Sequence, residues 1–291
     1  MILAIVGPTG VGKTKMSVEL AKKYNAIIIN CDAMQVYKGL DIGTAKIREE
    51  EKENIPHYLF DIKNYDEDYS IYNYQIDVRK ILEEHKEKNI IFVGGTGLYL
   101  KAALYDYKLD YETTNNDYSK LTDKELYELV LKKDPNTKIH PNNRIRLERF
   151  LNKTITDIPE PKKLYNHTII GLTTERNILY DRINKRVDIM VKDGLIEEVK
   201  SYYDKGIKTK PLMSGIGYKE LYDYFDNKCT KEEALDKIKQ NSRHYAKRQY
   251  TFFNNQLDVN WFNVDFEDFS KTIEEVSRFI EEEYKWSKLK M

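Results

Sequence analysis

The sequence predicts an α/β fold: a P-loop NTPase-like core with a mostly parallel sheet flanked by helices, plus a small all-helical insertion domain. Three observations predict it. A complete G-x-x-x-x-G-K-[ST] phosphate loop, Gly7-Pro8-Thr9-Gly10-Val11-Gly12-Lys13-Thr14, directly follows the apolar run Ile2–Val6. Unalternated apolar runs, suited to strands buried on both faces, recur at Ala26–Asn30, 90–93 and 168–172, with helix-period stretches between them. From 111 to 167 the strand signal is absent. The chain therefore divides into a core, 1–110 and 168–291, and an insertion, 111–167.

Composition narrows the class. With 291 residues and 41% hydrophobic content, the chain can bury one large core with a small appended domain. Its 48 Lys and Arg balance 48 Asp and Glu, so net charge does not mark a nucleic-acid partner, and such a partner needs a local basic patch. Cys31 and Cys229 are the two cysteines, far apart and outside any C-x-x-C, which excludes a disulfide framework and a cysteine zinc site. The start of the chain reads as a strand, with neither a basic leader nor a cleavage site, and no segment approaches 18 uninterrupted apolar residues. A soluble, cytoplasmic protein with no membrane partner is expected.

In chain order, the phosphate loop comes first. Its backbone N–H groups and the positive end of the next helix make a concave anion site, completed by Lys13 and by magnesium held on Thr14. A polyphosphate ligand follows. Met16, Leu20 and Ala21 keep helical spacing to Tyr24, and the strand Ala26–Asn30 then delivers Cys31-Asp32-Ala33-Met34-Gln35-Val36-Tyr37 to the sheet's carboxyl edge. Ligands in open α/β sheets bind at that edge, which makes Asp32 a catalytic candidate, or else a helix or turn cap. A Gly-bearing loop spans 39–46, a short strand is expected at 57–62, and Ser70 caps a helix burying Ile71, Tyr74, Val78, Ile81 and Leu82. The strand at 90–93 ends in Gly94-Gly95-Thr96-Gly97, where a nucleotide hydrolase carries a magnesium-binding Asp.

The insertion opens with a Tyr-, Asp- and Asn-rich connector, then a capping box, Thr122 with Glu125, then a helix after Pro141 carrying Arg144, Arg146, Arg149 and Lys153. That cluster suits RNA phosphates or a solvated helix face. After the strand at 168–172, a helix buries Leu179, Ile183, Val187 and Met190 and ends at Gly194. Its Arg182 and Arg186, four residues apart, can clamp a leaving phosphate or pair with Asp181 or Asp188. A Gly-punctuated turn covers 213–218. A long helix, 231–254, carries Lys239, Arg243, His244, Lys247 and Arg248 among Tyr245, Tyr250, Phe252 and Phe253, a pattern fitting a nucleic-acid strand with an unstacked base, or a core for the aromatics. A final helix, 266–286, is expected as a lid on the sheet's edge.

The pieces GPTGVGKT, CDAMQVYKGLDIGTAK, GGTGLYLKA, DPNTKIHPNNRIRLER, RINKRVDIM, GIGYKE and AKRQYTFF, in this order along nearly the whole chain, resemble the bacterial tRNA dimethylallyltransferases, also called tRNA isopentenyladenosine transferases. The second is the most specific. Asn254, Tyr118 and Ser214 depart from that family's pattern. The resemblance implies transfer of a dimethylallyl group from dimethylallyl diphosphate to N6 of the adenine beside the anticodon in the tRNA anticodon stem-loop, by a monomer. It implies Asp32 as general base, with Thr9, Lys13, magnesium on Thr14 and an arginine, Arg186 ahead of Arg182, stabilising the departing diphosphate held by Gly7 to Thr14. It implies tRNA contacts at Asp32, Ala33, Met34 and Gln35, at Thr96, at Ile145, Arg146, Leu147, Glu148 and Arg149, at Ser214, Gly215, Ile216, Gly217, Tyr218 and Lys219, and at Lys247, Arg248 and Gln249. The base must leave its stack to react, and the Gln35 amide suits an adenine edge. A small-metabolite kinase shares the loop but predicts ATP turnover. A prenyltransferase of free adenine nucleotides shares Asp32 but needs no insertion, and an RNA-binding module needs neither Lys13 nor Asp32.

Overall fold

The computed structural model describes residues 1–109, 114, 116–153 and 161–289 of the chain, with side chains to residue 284. Six parallel strands, β1 (Ile2–Val6), β2 (Ala26–Asn30), β3 (His57–Tyr58), β4 (Asn89–Val93), β5 (Thr168–Thr173) and β6 (Asn260–Asn263), form one sheet in the order β3-β2-β4-β1-β5-β6. Because the pairing is parallel throughout, the ends of β2, β4, β1 and β5 lie along a single edge. That edge receives the phosphate loop, Asp32 and Gly94.

The strands read as continuous apolar runs because both faces are covered. Leu3, Ile5, Ile28, Ile91, Ile170 and Leu172 share a core with Met16 and Leu20 of α1 (Lys13–Tyr24) and with Leu179 and Ile183 of α6 (Arg176–Lys192). The alternate strand residues Ala4, Ile27, Ile29, Ile90, Phe92 and Ile169 are buried as well. Ser70 caps α2 (Ile71–Glu84) with a hydrogen bond from Asn73 N, and α2 packs on α3 (Gly97–Leu104), Tyr74 stacking on Tyr99 at 4.1 Å. A second core unites Val36, Tyr37 and Leu40 with the helices α7 (Leu195–Tyr203), α8 (Lys210–Ser214), α9 (Tyr218–Phe225) and the start of α10 (Lys231–Gln256).

Residues Met1–Leu104 with Leu164–Met291 make one compact unit and Tyr105–Lys163 a second, where the sequence reading places the insertion at 111–167. The second unit holds α4 (Asp123–Lys133), capped by the Thr122–Glu125 box, and α5 (Arg144–Leu151), packed around Leu126, Val130 and Leu147. Parts of its connector, 110–113 and 115, lie outside the described residues.

Three expectations change. The strand at 57–62 stops after two residues because Leu59 and Asp61 take left-handed φ values of 63° and 54°. The turn at 213–218 is shorter, since Met213 and Ser214 close α8. The last helix, α11 (Phe269–Leu289), starts three residues later than expected; it covers the sheet's edge strand β6, packs on α1 and contributes Val276 and Ile280 to the main core. Strand β6 itself was not anticipated. Among the described residues no helix is long and apolar enough to cross a membrane.

One glycine couples sheet to loop. Gly7 leaves β1 at φ 134°, where a Cβ would overlap Leu172 O on β5. Gly7→Ala should therefore lower the unfolding free energy by about 2 kcal/mol or more. Thermal unfolding measures this, and an unchanged midpoint would show that β5 yields without cost.

Candidate active site

The helix α1 starts with nothing to cap it. Its N-cap, Gly12 (φ 92°), has no side chain, and its first turn holds no acidic residue, so the first N–H groups and the positive end of the helix face outward. Lys13 folds back and donates to Pro8 O at 2.7 Å. Burial, together with the Arg186 guanidinium, lowers its pKa to about 7 against the opposing pull of Asp32. The cradle thus has the composition of an anion site.

The two arginines of α6 do different work. Arg182 donates Nε–H to Gly10 O at 3.0 Å and lies 3.7 Å over the Phe266 ring, so it braces the loop from outside. Arg186 Nε is buried and has no hydrogen-bond partner among the described residues. Such a donor is costly, and an anion in the cradle would supply its acceptor. Burial also lowers the pKa of Arg186, again opposed by Asp32. Neither arginine takes Asp188, which pairs with Lys239 at 2.6 Å.

Asp32 stands across from these cations. Its backbone is gripped by Asn30, which is fully buried: Asn30 Oδ1 accepts from Asp32 N at 2.8 Å, and Nδ2 donates to Asp32 O at 3.0 Å and Leu59 O at 2.9 Å. One carboxylate oxygen, Oδ1, accepts from Met34 N at 2.9 Å. The loop after β4 closes the other side. A Cβ on Gly94 would overlap the Cys31 carbonyl, Thr96 N donates to Cys31 O at 3.0 Å, and Thr96 Oγ1 accepts from Ala33 N at 3.1 Å. The carboxylate's charge reaches several neighbours, adding to burial in pushing up the Tyr245 phenol and in raising the Cys31 thiol to about 12.

Gln249 joins the two halves. It is 4% exposed, its Oε1 accepts from Thr9 N at 3.1 Å, and its Nε2 donates to Gly95 O at 3.1 Å. The sequence reading placed it among RNA contacts, but both ends of its amide are engaged in holding the phosphate loop to the loop after β4. Leu147 and Tyr218, read the same way, are fully buried. A helix turns every third or fourth residue of a contiguous motif inward.

The remaining predicted contacts distribute as follows. Gln35 Nε2 donates to Thr44 O at 3.0 Å and Ala45 O at 3.4 Å, leaving Oε1. That loop hangs on Glu198, whose carboxylate accepts from Asp41 N, Ile42 N, Gly43 N and the Tyr218 hydroxyl at 2.6–3.1 Å. No local signal marked Glu198. Ser214 is exposed, Gly215 and Gly217 are buried, and Ile216 and Lys219 are half-buried. Lys247 and Arg248 are exposed, whereas Arg243 is held by Asn184 Oδ1 at 2.7 Å. In the insertion, Ile145, Arg146 and Arg149 are exposed, while Glu148 pairs with Arg144 at 2.8 Å.

Among the described residues no group of three or more His, Cys, Asp or Glu side chains can hold a metal ion. A metal at the phosphate loop would take most of its oxygens from a polyphosphate and water, with the exposed Thr14 hydroxyl as the protein's contribution. That donor set suits Mg2+.

The IPP transferase family pattern matches residues 35–256. The chain is 47% identical over 298 residues to the tRNA dimethylallyltransferase of Anoxybacillus flavithermus, covering 96% of each. It superposes with a TM-score of 0.77 on the full-length tRNA isopentenylpyrophosphate transferase of Bacillus halodurans, at 44% identity over 99% of this chain and 98% of that one. A eukaryotic dimethylallyltransferase, described in crystallographic snapshots acting on tRNA, superposes at 0.79 with 26% identity, over 98% of this chain and 79% of that one.

The Lys13 pKa gives the cradle a pH signature. Its ammonium is retained below about pH 7 and must be regained from solvent on anion binding above it. By linkage, the affinity advantage of wild type over Lys13→Met for inorganic pyrophosphate should fall by up to about tenfold per pH unit above 7. Calorimetric titration from pH 6 to 9 measures the ratio, and a constant ratio would place Lys13 outside the anion contact.

Proposed function

The chain belongs to the IPP transferase family, and we propose that it transfers a dimethylallyl group from dimethylallyl diphosphate to N6 of the adenine beside the anticodon of tRNA, releasing diphosphate. Asp32 facing the cations of the phosphate cradle carries this reading. Two opposite demands of one displacement are met from opposite sides.

The adenine amine is a weak nucleophile because its lone pair is delocalised into the ring. As N6 bonds to the allylic carbon, it must lose a proton, and the Asp32 carboxylate accepts it. The allylic C–O bond breaks with its electron pair passing to the diphosphate. Lys13, Arg186 and the backbone N–H groups of Gly10 to Thr14 take up that charge, with Thr9 held in place through its N–H by Gln249. Mg2+ bound to the diphosphate and Thr14 would neutralise further charge. Arg182 holds the loop through Gly10 O.

Phosphate contacts fall to exposed groups, base contacts to half-buried ones. Arg146 and Arg149 of the insertion and Lys247 and Arg248 of α10 are available for phosphates. Gln35 Oε1 and the carboxylate of Asp32 are available to the flipped adenine. The kinase reading is not favoured: β4 runs into Gly94-Gly95-Thr96 with no carboxylate for a nucleotide's metal.

The test is incubation of wild type with labelled dimethylallyl diphosphate and undermodified tRNA. Label should enter tRNA without ATP, and its absence would sink the proposal. Asp32→Ala should lower kcat by about 10²- to 10⁴-fold. Asn30→Ala, which loosens the Asp32 backbone without touching either substrate, should lower kcat by about tenfold or more with both KM values kept, since a small misplacement of a catalytic group is costly. A changed donor KM with unchanged kcat would contradict that positioning role.

A further inference from the structure

The turn that precedes Thr44 and Ala45 hangs on one carboxylate that no step of the reaction above uses. Glu198, in the first turn of α7, reaches it from another part of the chain. Its Oε2 accepts from Asp41 N at 3.1 Å and Ile42 N at 2.7 Å, and its Oε1 accepts from Gly43 N at 3.1 Å and from the Tyr218 hydroxyl at 2.6 Å. Three successive backbone donors thus converge on one anion. Hydrogen bonds to an ionised acceptor are roughly twice as strong as neutral ones, so the hold is firm. The turn also rests on the buried Tyr218 ring, which a Cβ on Gly43 would overlap.

The root of the loop is tied separately. Lys46 Nζ donates to Tyr37 O at 2.7 Å and Asp41 Oδ1 at 2.6 Å, and the Tyr202 hydroxyl donates to Gly39 O at 2.8 Å. Glu198 therefore governs the tip, and its removal leaves the root anchored.

The tip decides how Gln35 is presented. The Gln35 amide donates both Nε2 hydrogens, one to Thr44 O at 3.0 Å and one to Ala45 O at 3.4 Å. Carbonyl oxygens only accept, so turning the amide over would set Oε1 against two acceptors. While those carbonyls stand in place, Gln35 can offer a ligand only its acceptor, Oε1. An adenine carries an N–H donor at N6, whereas a purine with oxygen at that position presents lone pairs. Of the two N6 hydrogens, one leaves to Asp32 as the new bond forms and the other remains for Gln35.

We propose that Glu198 is a positioning residue for base selection: by fixing the 41–43 turn it keeps two carbonyls against Gln35 Nε2, so the site presents an acceptor alone and admits an amino purine ahead of an oxo purine. The inference rests on the reading of a flipped adenine as the acceptor of the dimethylallyl group.

The test is fluorescence anisotropy of anticodon stem-loops binding without donor, one loop carrying adenine and the other hypoxanthine at the target position. Wild type should prefer adenine by about 5- to 150-fold, the range for one buried polar group left unpaired. Glu198→Ala should cut that preference by about fivefold or more, chiefly by binding the hypoxanthine loop more tightly, since a released amide can turn Nε2 toward the purine oxygen. Gln35→Ala should do likewise. Adding Glu198→Ala to Gln35→Ala should change nothing further, because residues that act through one contact are not additive. Pyrophosphate affinity should match wild type in every variant, which checks the fold. If Glu198→Ala loses it, Glu198→Gln, which keeps one acceptor oxygen, is measured in its place by the same criteria. An unchanged preference in the Glu198 variant overturns the inference, as does a wild type that binds both loops alike. Equal weakening of both loops, or an undiminished effect of the Glu198 variant in the Gln35→Ala background, also overturns it by making Glu198 merely structural. The inference thus stands or falls on a ratio of two affinities, while the function stands or falls on label entering tRNA in the transfer assay.

Discussion

The buried amide of Gln249 is the interaction on which the catalytic geometry depends. One end holds the phosphate loop through Thr9 and the other holds the loop after β4 through Gly95. That second loop fixes the Asp32 turn through Thr96 and the close approach of Gly94 to Cys31. A buried amide with both ends satisfied is stiff, and replacing it would leave backbone groups unpaired. The spacing between Asp32 and the phosphate loop thus depends on one side chain of α10, with Asn30 bracing Asp32 from within the sheet.

Charge organises the rest. A parallel sheet brings four strand ends to one edge, and the uncapped start of α1 gives that edge a positive potential. Lys13 and Arg186 add cations that are costly to bury in the absence of an anion. Asp32 partly offsets that cost in the free protein, and a diphosphate would offset it in the complex. In the proposed reaction, the loop that usually serves nucleotide hydrolysis holds the leaving group of a displacement.

Much of this was legible in the sequence because it is local. The phosphate loop, the strand that delivers Asp32 and the Thr122 capping box are written in consecutive residues, and each forms as its spacing predicts. The connections that set distances were not legible, since Gln249 lies 240 residues from Thr9 and Glu198 lies 157 from Asp41. Nor was β6, whose four residues carry too little periodicity to stand out. Contiguous motifs also mislead about contacts: Leu147, Tyr218 and Gln249 sit inside helical motifs but face inward.

The central claim is that one edge holds diphosphate on one side and the adenine amine on the other. A crystal structure with an unreactive dimethylallyl diphosphate analogue and an anticodon stem-loop tests it most directly. The account predicts the diphosphate in the Gly7 to Thr14 cradle against Arg186, with the adenine N6 about 2.6–3.2 Å from the Asp32 carboxylate. An adenine amine facing any other acceptor, or a diphosphate bound away from that cradle, would contradict it.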